Sequence, residues 1–130
     1  MVMEEQIKEL AQDFTSTVSN MLGKNLRYDR ASVEWLSGYI ERVRPTLDEV
    51  STEGLTQSIG AFLGECIIAN YGGEWRESEG TWGIFFSESN DRSAAFPFNK
   101  VRKQLLYGLG DSILSFYDVI PVVFGKSHEI

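Results

Sequence analysis

The residues whose types could do chemistry lie together near the middle of the chain, where carboxylates alternate with indoles. They are Glu74, Trp75, Glu77, Glu79 and Trp82. An exposed Trp ring attracts a Lys or Arg cation over its face, and neighbouring carboxylates add ion pairs to that same cation. The pattern therefore predicts a surface that binds a basic protein partner. Because neighbouring side chains of a strand point to opposite faces, periodicity leaves open which of Trp75 and Trp82 is exposed.

Groups that commonly carry catalysis are few. The single histidine, His128, lies two residues from the end of the sequence, where we expect a solvated side chain. Cys66 falls on the apolar stripe of a predicted helix and is expected to act as a small buried hydrophobe, since a thiol nucleophile needs a base and a positive setting. We therefore predict no catalytic residue. The alternative is a ligand pocket or enzyme site between the third helix and the sheet, with Glu65 or Asn70 inside it.

Metal and cofactor binding is not predicted either. A zinc site needs clustered Cys and His ligands, and the carboxylates lack the spacing of a calcium loop, Asp-x-Asp-x-Asp-Gly with a closing Glu. The glycines of Gly80-x-x-Gly83 and Gly108-x-Gly110 lack the context of a phosphate-binding loop. We expect the chain to work without a cofactor.

The acidic residues are unevenly distributed. Between Pro45 and Asp91 there are nine acidic residues and one basic residue, so the formal net charge of -7 divides into -1, -8 and +2 over residues 1–44, 45–91 and 92–130. Proteins that bind nucleic acid or an anionic membrane need Lys and Arg, so we expect neither partner. The charge can serve solubility alone, or it can attract a basic partner.

Length and composition predict one globular domain over residues 1–130, with enough apolar residues for a core that needs no disulfide. No cationic segment followed by an apolar run opens the sequence, and no apolar run approaches the length of a membrane span. We therefore expect a cytoplasmic protein. It is either a monomer or a homodimer formed through a strand edge or the apolar tail Val119–Phe124.

Helical periodicity predicts the elements that position the acidic residues and the indoles. Three helices are expected: residues 3–22, a helix capped by Asp29 or Ser32 and ended by Pro45, and a helix from about Leu55 to Tyr71. Thr46–Gly54 is predicted as a polar link. Gly60 and Gly64 lie four residues apart on the third helix and predict close approach of another element, since glycine inside a helix otherwise costs stability. Gly72 and Gly73 are expected to end this helix.

After the third helix the spacing of the apolar residues changes from the helical period to the two-residue period of strands. Three short strands are predicted: Glu74–Glu77, Thr81–Phe86 and Ser93–Phe96. Loops this short require an antiparallel meander, which Pro97 ends. Asn99 is predicted to cap a last helix that is interrupted at Gly108–Gly110 and capped again by Asp111 or Ser112, and Val119–Phe124 is predicted as extended. The fold class is therefore α+β, with three N-terminal helices, a three-stranded meander and a kinked C-terminal helix.

Four groups of residues resemble a group of uncharacterised bacterial domains. They are Gly60–Glu65, Gly73–Trp75, Phe96-Pro97-Phe98-x-x-Val101-x-Lys103 and Gly110–Tyr117. In that group a Gly-rich helix that ends at a Trp precedes a small sheet, a Phe-Pro turn and a helix with basic residues near its start. The resemblance covers about half of the chain. The resemblance implies the α+β fold. Domains of this group are in turn similar in kind to small immunity proteins found near bacterial toxin systems.

The sequence therefore favours a non-enzymatic interaction domain, of the immunity-protein type, that binds a basic protein through an acidic aromatic face. The 46–54 link would add carboxylates to this surface. Carboxylates speed the encounter and fix the register of a complex, whereas a buried Trp anchor supplies much of its binding energy.

Overall fold

The computed structural model describes residues 3–87 and 93–124. The elements in chain order are α1 (Met3–Leu22), α2 (Arg30–Val43), α3 (Glu49–Tyr71), β1 (Glu74–Ser78), β2 (Thr81–Phe85), β3 (Ala94–Ala95), α4 (Pro97–Tyr107) and α5 (Ile113–Phe124). The strands form one antiparallel sheet in the order β1-β2-β3. The predicted α+β class is confirmed, with its N-terminal helices, its meander and its helical C-terminal part. None of the helices in the described ranges is long and apolar enough to cross a membrane.

Helix α3 lies at the centre of the molecule, because α1, α2, α4 and α5 all contact it and β2 packs on it. Six consecutive residues, 59–64, are buried, so this helix has no solvent-facing side over that stretch. Ile59, Phe62, Leu63 and Ile67 of this helix are fully buried. A helix covered on every side needs apolar or small residues all round, and its sequence supplies them.

Helix α3 begins earlier than the sequence indicated, so the predicted link Thr46–Gly54 is wrong in its second half. Asp48 has an extended backbone, and its carboxylate accepts a hydrogen bond from the Ser51 amide at 2.7 Å. That bond satisfies an amide that has no partner within the helix, and it lowers the pKa of Asp48. Glu49 in the first turn is favoured by the helix dipole. The acidic residues that suggested a link therefore start a helix.

Gly60 and Gly64 of α3 are sites of close packing, as predicted. A Cβ atom at Gly60 would lie 2.5 Å from Cδ1 of Phe98, and one at Gly64 would overlap the indole of Trp75. Real atoms do not approach each other so closely, so a larger residue at either position would force its neighbours to move. Helix α4 and strand β1 are thus held directly against the backbone of α3.

The C-terminal part contains two helices joined at Gly108, which has φ of 89° and follows the last residue of α4. The predicted second cap is confirmed, because the Ser112 hydroxyl accepts hydrogen bonds from the amides of Leu114 and Ser115 at 3.1 and 3.3 Å. At the end of α4, the Arg44 guanidinium donates to the carbonyls of the last turn. The interruption is therefore a defined turn between α4 and α5, held by its own hydrogen bonds.

Two predictions in this part are wrong. Helix α4 begins at Pro97, so Asn99 is already inside the helix; proline suits the first helical position because it needs no amide partner there. The tail is helical through Phe124 despite Pro121. Tyr117 and Ile120 are buried on the face that α5 turns to the core, and this burial outweighs the proline penalty.

A buried polar network joins α2, α4 and α5. The Gln104 side chain has no exposed surface, and its amide nitrogen donates to the Ser37 carbonyl at 3.1 Å and to a Glu41 carboxylate oxygen at 3.0 Å. Its oxygen accepts from the Ile113 amide at 2.8 Å. Because its polar atoms are paired, the network fixes the three helices relative to one another without leaving an unsatisfied group.

Candidate docking surface

The β1–β2 hairpin carries all five residues that the sequence indicated. Its turn consists of Glu79 and Gly80, both with positive φ, of 52° and 81°. Positive φ at both central residues defines the tight turn that matches the twist of a two-stranded hairpin. The turn sets the pairing of Ser78 with Thr81 and of Glu77 with Trp82. Glu79 therefore stands at the tip of the hairpin, although a left-handed conformation costs energy for a residue with a side chain.

Trp75 belongs to the core, with 3% of its surface exposed. Its ring lies over Gly64 and contacts the Phe98 ring at a centroid distance of 5.6 Å. Its indole nitrogen donates to Oε2 of Glu65 at 2.8 Å. A ring held in this way cannot receive a cation from a partner, so the inclusion of Trp75 in an exposed surface is corrected.

The polar groups proposed for a pocket between α3 and the sheet have structural partners. Glu65 accepts the Trp75 indole N–H, and the Asn70 amide donates to the carbonyls of Tyr28 and Cys66 at 2.8 and 2.9 Å. Cys66 itself is fully buried, as predicted, and burial raises the pKa of its thiol. His128 lies outside the described residues. Within the part of the chain that the structure describes, no group of three or more potential metal ligands comes together.

Trp82 is partly exposed and stands directly opposite Glu77 in the register of the hairpin. It lines a groove of about 270 Å³ between the hairpin and the helices, whose other walls include Met3, Ile7, Gln57, Phe98, Asn99 and Arg102. Nη2 of Arg102 contacts both carboxylate oxygens of Glu53 at 3.1 Å. Hydrogen bonds from Gln57 and from Arg102 lower the pKa of Glu53. The groove thus combines apolar side chains with the polar side chains of Gln57, Asn99 and Arg102, and sequence periodicity did not predict it.

The carboxylates of the hairpin differ in their environment. Glu74 lies 3.5 Å from the guanidinium of Arg76, and that guanidinium stacks on the Phe85 ring at 4.4 Å from its centroid. Strand alternation places both on the face opposite Glu77. Glu77 and Glu79 are exposed and have no ion-pair partner among residues 3–87 and 93–124. The structure therefore brings Glu77, Glu79 and Trp82 together, and these three residues are called the hairpin surface below.

A larger concavity lies elsewhere, between α1, α2 and the first half of α3. It has a volume of about 450 Å³ and is mainly apolar, with walls that include Phe14, Val18, Tyr39 and Leu55. Met21 and Leu22 at its end are 76% and 52% exposed. Both residues continue the three-and-four spacing of the apolar stripe of α1, a spacing that predicts burial. The excess width of that stripe was the sequence signal for an uncovered groove.

The chain matches no protein-family model, no curated protein and no solved structure. The resemblance to uncharacterised bacterial domains therefore stays a prediction. Several residues that carry it, among them Gly60, Gly64 and Pro97, have packing and helix-start roles in this structure.

Proposed function

We propose that this chain is a non-enzymatic interaction domain that binds a basic protein partner through the hairpin surface. The observation that carries the proposal is the pairing of Glu77 with Trp82. A carboxylate with no ion-pair partner in the described parts of the chain stands directly across the ladder from a partly exposed indole, at the end of a hairpin that is anchored to the core. Glu79 adds a second such carboxylate at the tip.

This arrangement suits a Lys or Arg side chain. The cation would lie over the Trp82 ring, an interaction worth about 0.5–2 kcal/mol depending on desolvation, while Glu77 pairs with its charge. The groove beside Trp82 would hold the aliphatic stem of the same side chain. The net charge of -8 over residues 45–91 would accelerate the encounter with a positively charged surface.

We further propose that the domain is of the immunity-protein type and acts in the cytoplasm, where it neutralises a basic toxin. Two features support this class: the resemblance described for residues 60–117, and the concentration of acidic charge around one small sheet. A toxin gene beside the gene for this chain would support the proposal, and neighbouring metabolic genes would count against it.

The direct test is to isolate a partner with the tagged chain and then to measure its affinity for single charge reversals. We expect Glu77→Lys to weaken binding by about tenfold or more at low salt, as for close charge pairs at interfaces. The matched control is Glu34→Lys, which makes the same charge change at an exposed position of α2. Equal effects of the two reversals would show that net charge alone attracts the partner, and no effect of either would remove the proposal.

A second candidate function is small-ligand binding in the groove beside Trp82, where Gln57, Asn99 and Arg102 supply polar groups beside apolar side chains. A compound that binds there raises the melting temperature, because it stabilises the folded state. The shift should disappear in Trp82→Ala and persist in Met21→Ala, which alters the larger groove between α1 and α3. A shift that is lost only in Met21→Ala would move the ligand site to that groove.

A further inference from the structure

Strand β1 is one of the two edge strands of the sheet. In the order β1-β2-β3 it pairs with β2 on one side, and no backbone or side-chain group in the described ranges bonds to the backbone on its other side. An edge of this kind presents a row of unpaired N–H and C=O groups, which can pair with a further strand.

The turn determines which backbone groups face outward. In a two-residue hairpin the residues that flank the turn form a hydrogen-bonded pair, and bonded and non-bonded pairs then alternate along an antiparallel ladder. Here Ser78 flanks the turn, so Ser78, Arg76 and Glu74 bond to β2. The amide and carbonyl groups of Trp75 and Glu77 therefore point to the open side.

The side chains along this edge restrict what can pair with it. Arg76, the basic residue of this strand, already has Glu74 as its ion-pair partner. A second copy of this chain would therefore bring its own Glu77 and Glu79 close to the same two residues, and like charges that face each other across a strand pair are destabilising. A strand that carries Lys or Arg meets opposite charges instead. The edge thus disfavours self-association and favours a basic segment.

We infer that the basic partner adds an extended segment to the edge of β1. Its backbone bonds to the outward groups of Trp75 and Glu77, and Lys or Arg at alternate positions faces Glu77 and the hairpin tip at Glu79. This inference rests on the proposed function, since it specifies how the same partner docks. The strand is already in place before binding, because the Trp75 indole is bonded to Glu65 and packed on Gly64. A strand that needs no ordering loses less free energy when it binds.

The first experiment uses the wild-type chain and a synthetic peptide of alternating Lys and Thr as the probe. Amide hydrogen exchange is measured residue by residue with and without the peptide. We expect exchange to slow at Trp75 and Glu77 and to stay unchanged at Arg76, whose amide already bonds to β2. A peptide of alternating Glu and Thr is the control and should protect neither amide. Binding without protection at Trp75 and Glu77 would overturn the inference.

The second experiment compares two substitutions at one position. Glu77→Gln removes the charge and keeps the outward backbone N–H. Glu77→Pro removes the charge and that N–H together. The proline should leave the hydrogen bonds between β1 and β2 intact, because the lost donor faces the open side. We expect Glu77→Pro to bind the partner at least about tenfold more weakly than Glu77→Gln.

The outcomes separate the inference from the proposed function. If both variants weaken binding equally, the partner uses the charged face without strand addition, so the inference is wrong and the proposed function stands. If neither variant weakens binding, both are wrong. A melting curve for each variant confirms that it is folded, and the exchange experiment decides the question independently should Glu77→Pro fail to fold.

Discussion

Trp75 and Trp82 lie on adjacent strands of one hairpin and on the same face of the sheet, yet they differ in environment. Trp75 is 3% exposed and covered by α3, whereas Trp82 is partly exposed and lines a groove. The difference arises because Gly64 lets α3 approach the Trp75 ring closely, whereas the Trp82 ring lies nearer the turn, beyond that contact. Strand alternation decides the face of a residue, but the extent of the helical cover decides its exposure.

The hairpin and the part of α3 that covers it thus divide into two regions. The inner region contains Gly64, Glu65 and Trp75, and we expect changes there to reduce stability. The outer region is the hairpin surface, Glu77, Glu79 and Trp82, and we expect changes there to alter binding far more than stability. The following predictions test this division.

The largest effect is expected for removal of the inner ring. Trp75→Ala should lower the free energy of unfolding by about 3–5 kcal/mol, because it leaves a large cavity against α3. Trp82→Ala should lower it by about 1 kcal/mol or less, since its ring is already in part hydrated. Urea denaturation of both variants measures the difference, and similar losses for the two would contradict the division.

A clash at the same contact should have the next largest effect. In Gly64→Ala the added methyl group overlaps the Trp75 indole, and we expect a loss of about 1–3 kcal/mol despite the higher helix propensity of alanine. Gly54→Ala is the matched control on the same helix, because a Cβ at that position meets nothing within 4 Å. It should gain up to about 1 kcal/mol. Thermal unfolding of the two variants should therefore shift in opposite directions.

A loss of similar size is expected when the Trp75 indole loses its hydrogen-bond acceptor. Glu65→Ala leaves the buried Trp75 N–H without a partner and should cost about 1–3 kcal/mol. Glu65→Gln keeps an oxygen acceptor and should retain most of the stability. Denaturant titration distinguishes them, and equal stabilities would show that the hydrogen bond does not hold β1 in place.

The smallest effect, a gain in the free energy of unfolding, is expected at the tip of the hairpin. Glu79→Asn replaces a residue strained at φ of 52° with one that tolerates the left-handed conformation and favours this turn before glycine. We expect a gain of about 0.5–1 kcal/mol in unfolding free energy. The same variant should bind a basic partner more weakly, because it removes an unpaired carboxylate. A variant that is both more stable and equally tight in binding would exclude Glu79 from the docking surface.

Much of the fold could be predicted from local patterns. Helix α1, the end of α3 at Gly72 and the turn between β1 and β2 depend on residues close in sequence, and the structure confirms them. The start of α3 was missed because Asp48 serves equally well in a polar link or as a helix cap, and only the bond to Ser51 separates the two. The tail was missed because valines and a proline favour extended chain until a core covers one face.

The candidate site could be predicted only in part. Composition indicated the hairpin, but which indole is buried depends on Gly64, eleven residues before Trp75, and on Phe98 from another helix. Likewise, the position of Glu77 directly opposite Trp82 follows from the register, which the turn at Glu79 and Gly80 sets. Such relations depend on tertiary contacts and register, which sequence periodicity alone does not specify.

The direct packing of Trp75 on Gly64 has a consequence for the evolution of this domain. Since the contact keeps β1 in place, positions 77, 79 and 82 can change without much loss of stability, and a domain tolerates most readily the mutations that leave its stability intact. The choice of partner can therefore diverge quickly while the fold stays unchanged. Among descendants of this chain that meet different partners, we expect the glycine and the inner tryptophan to be retained while the three outer residues vary.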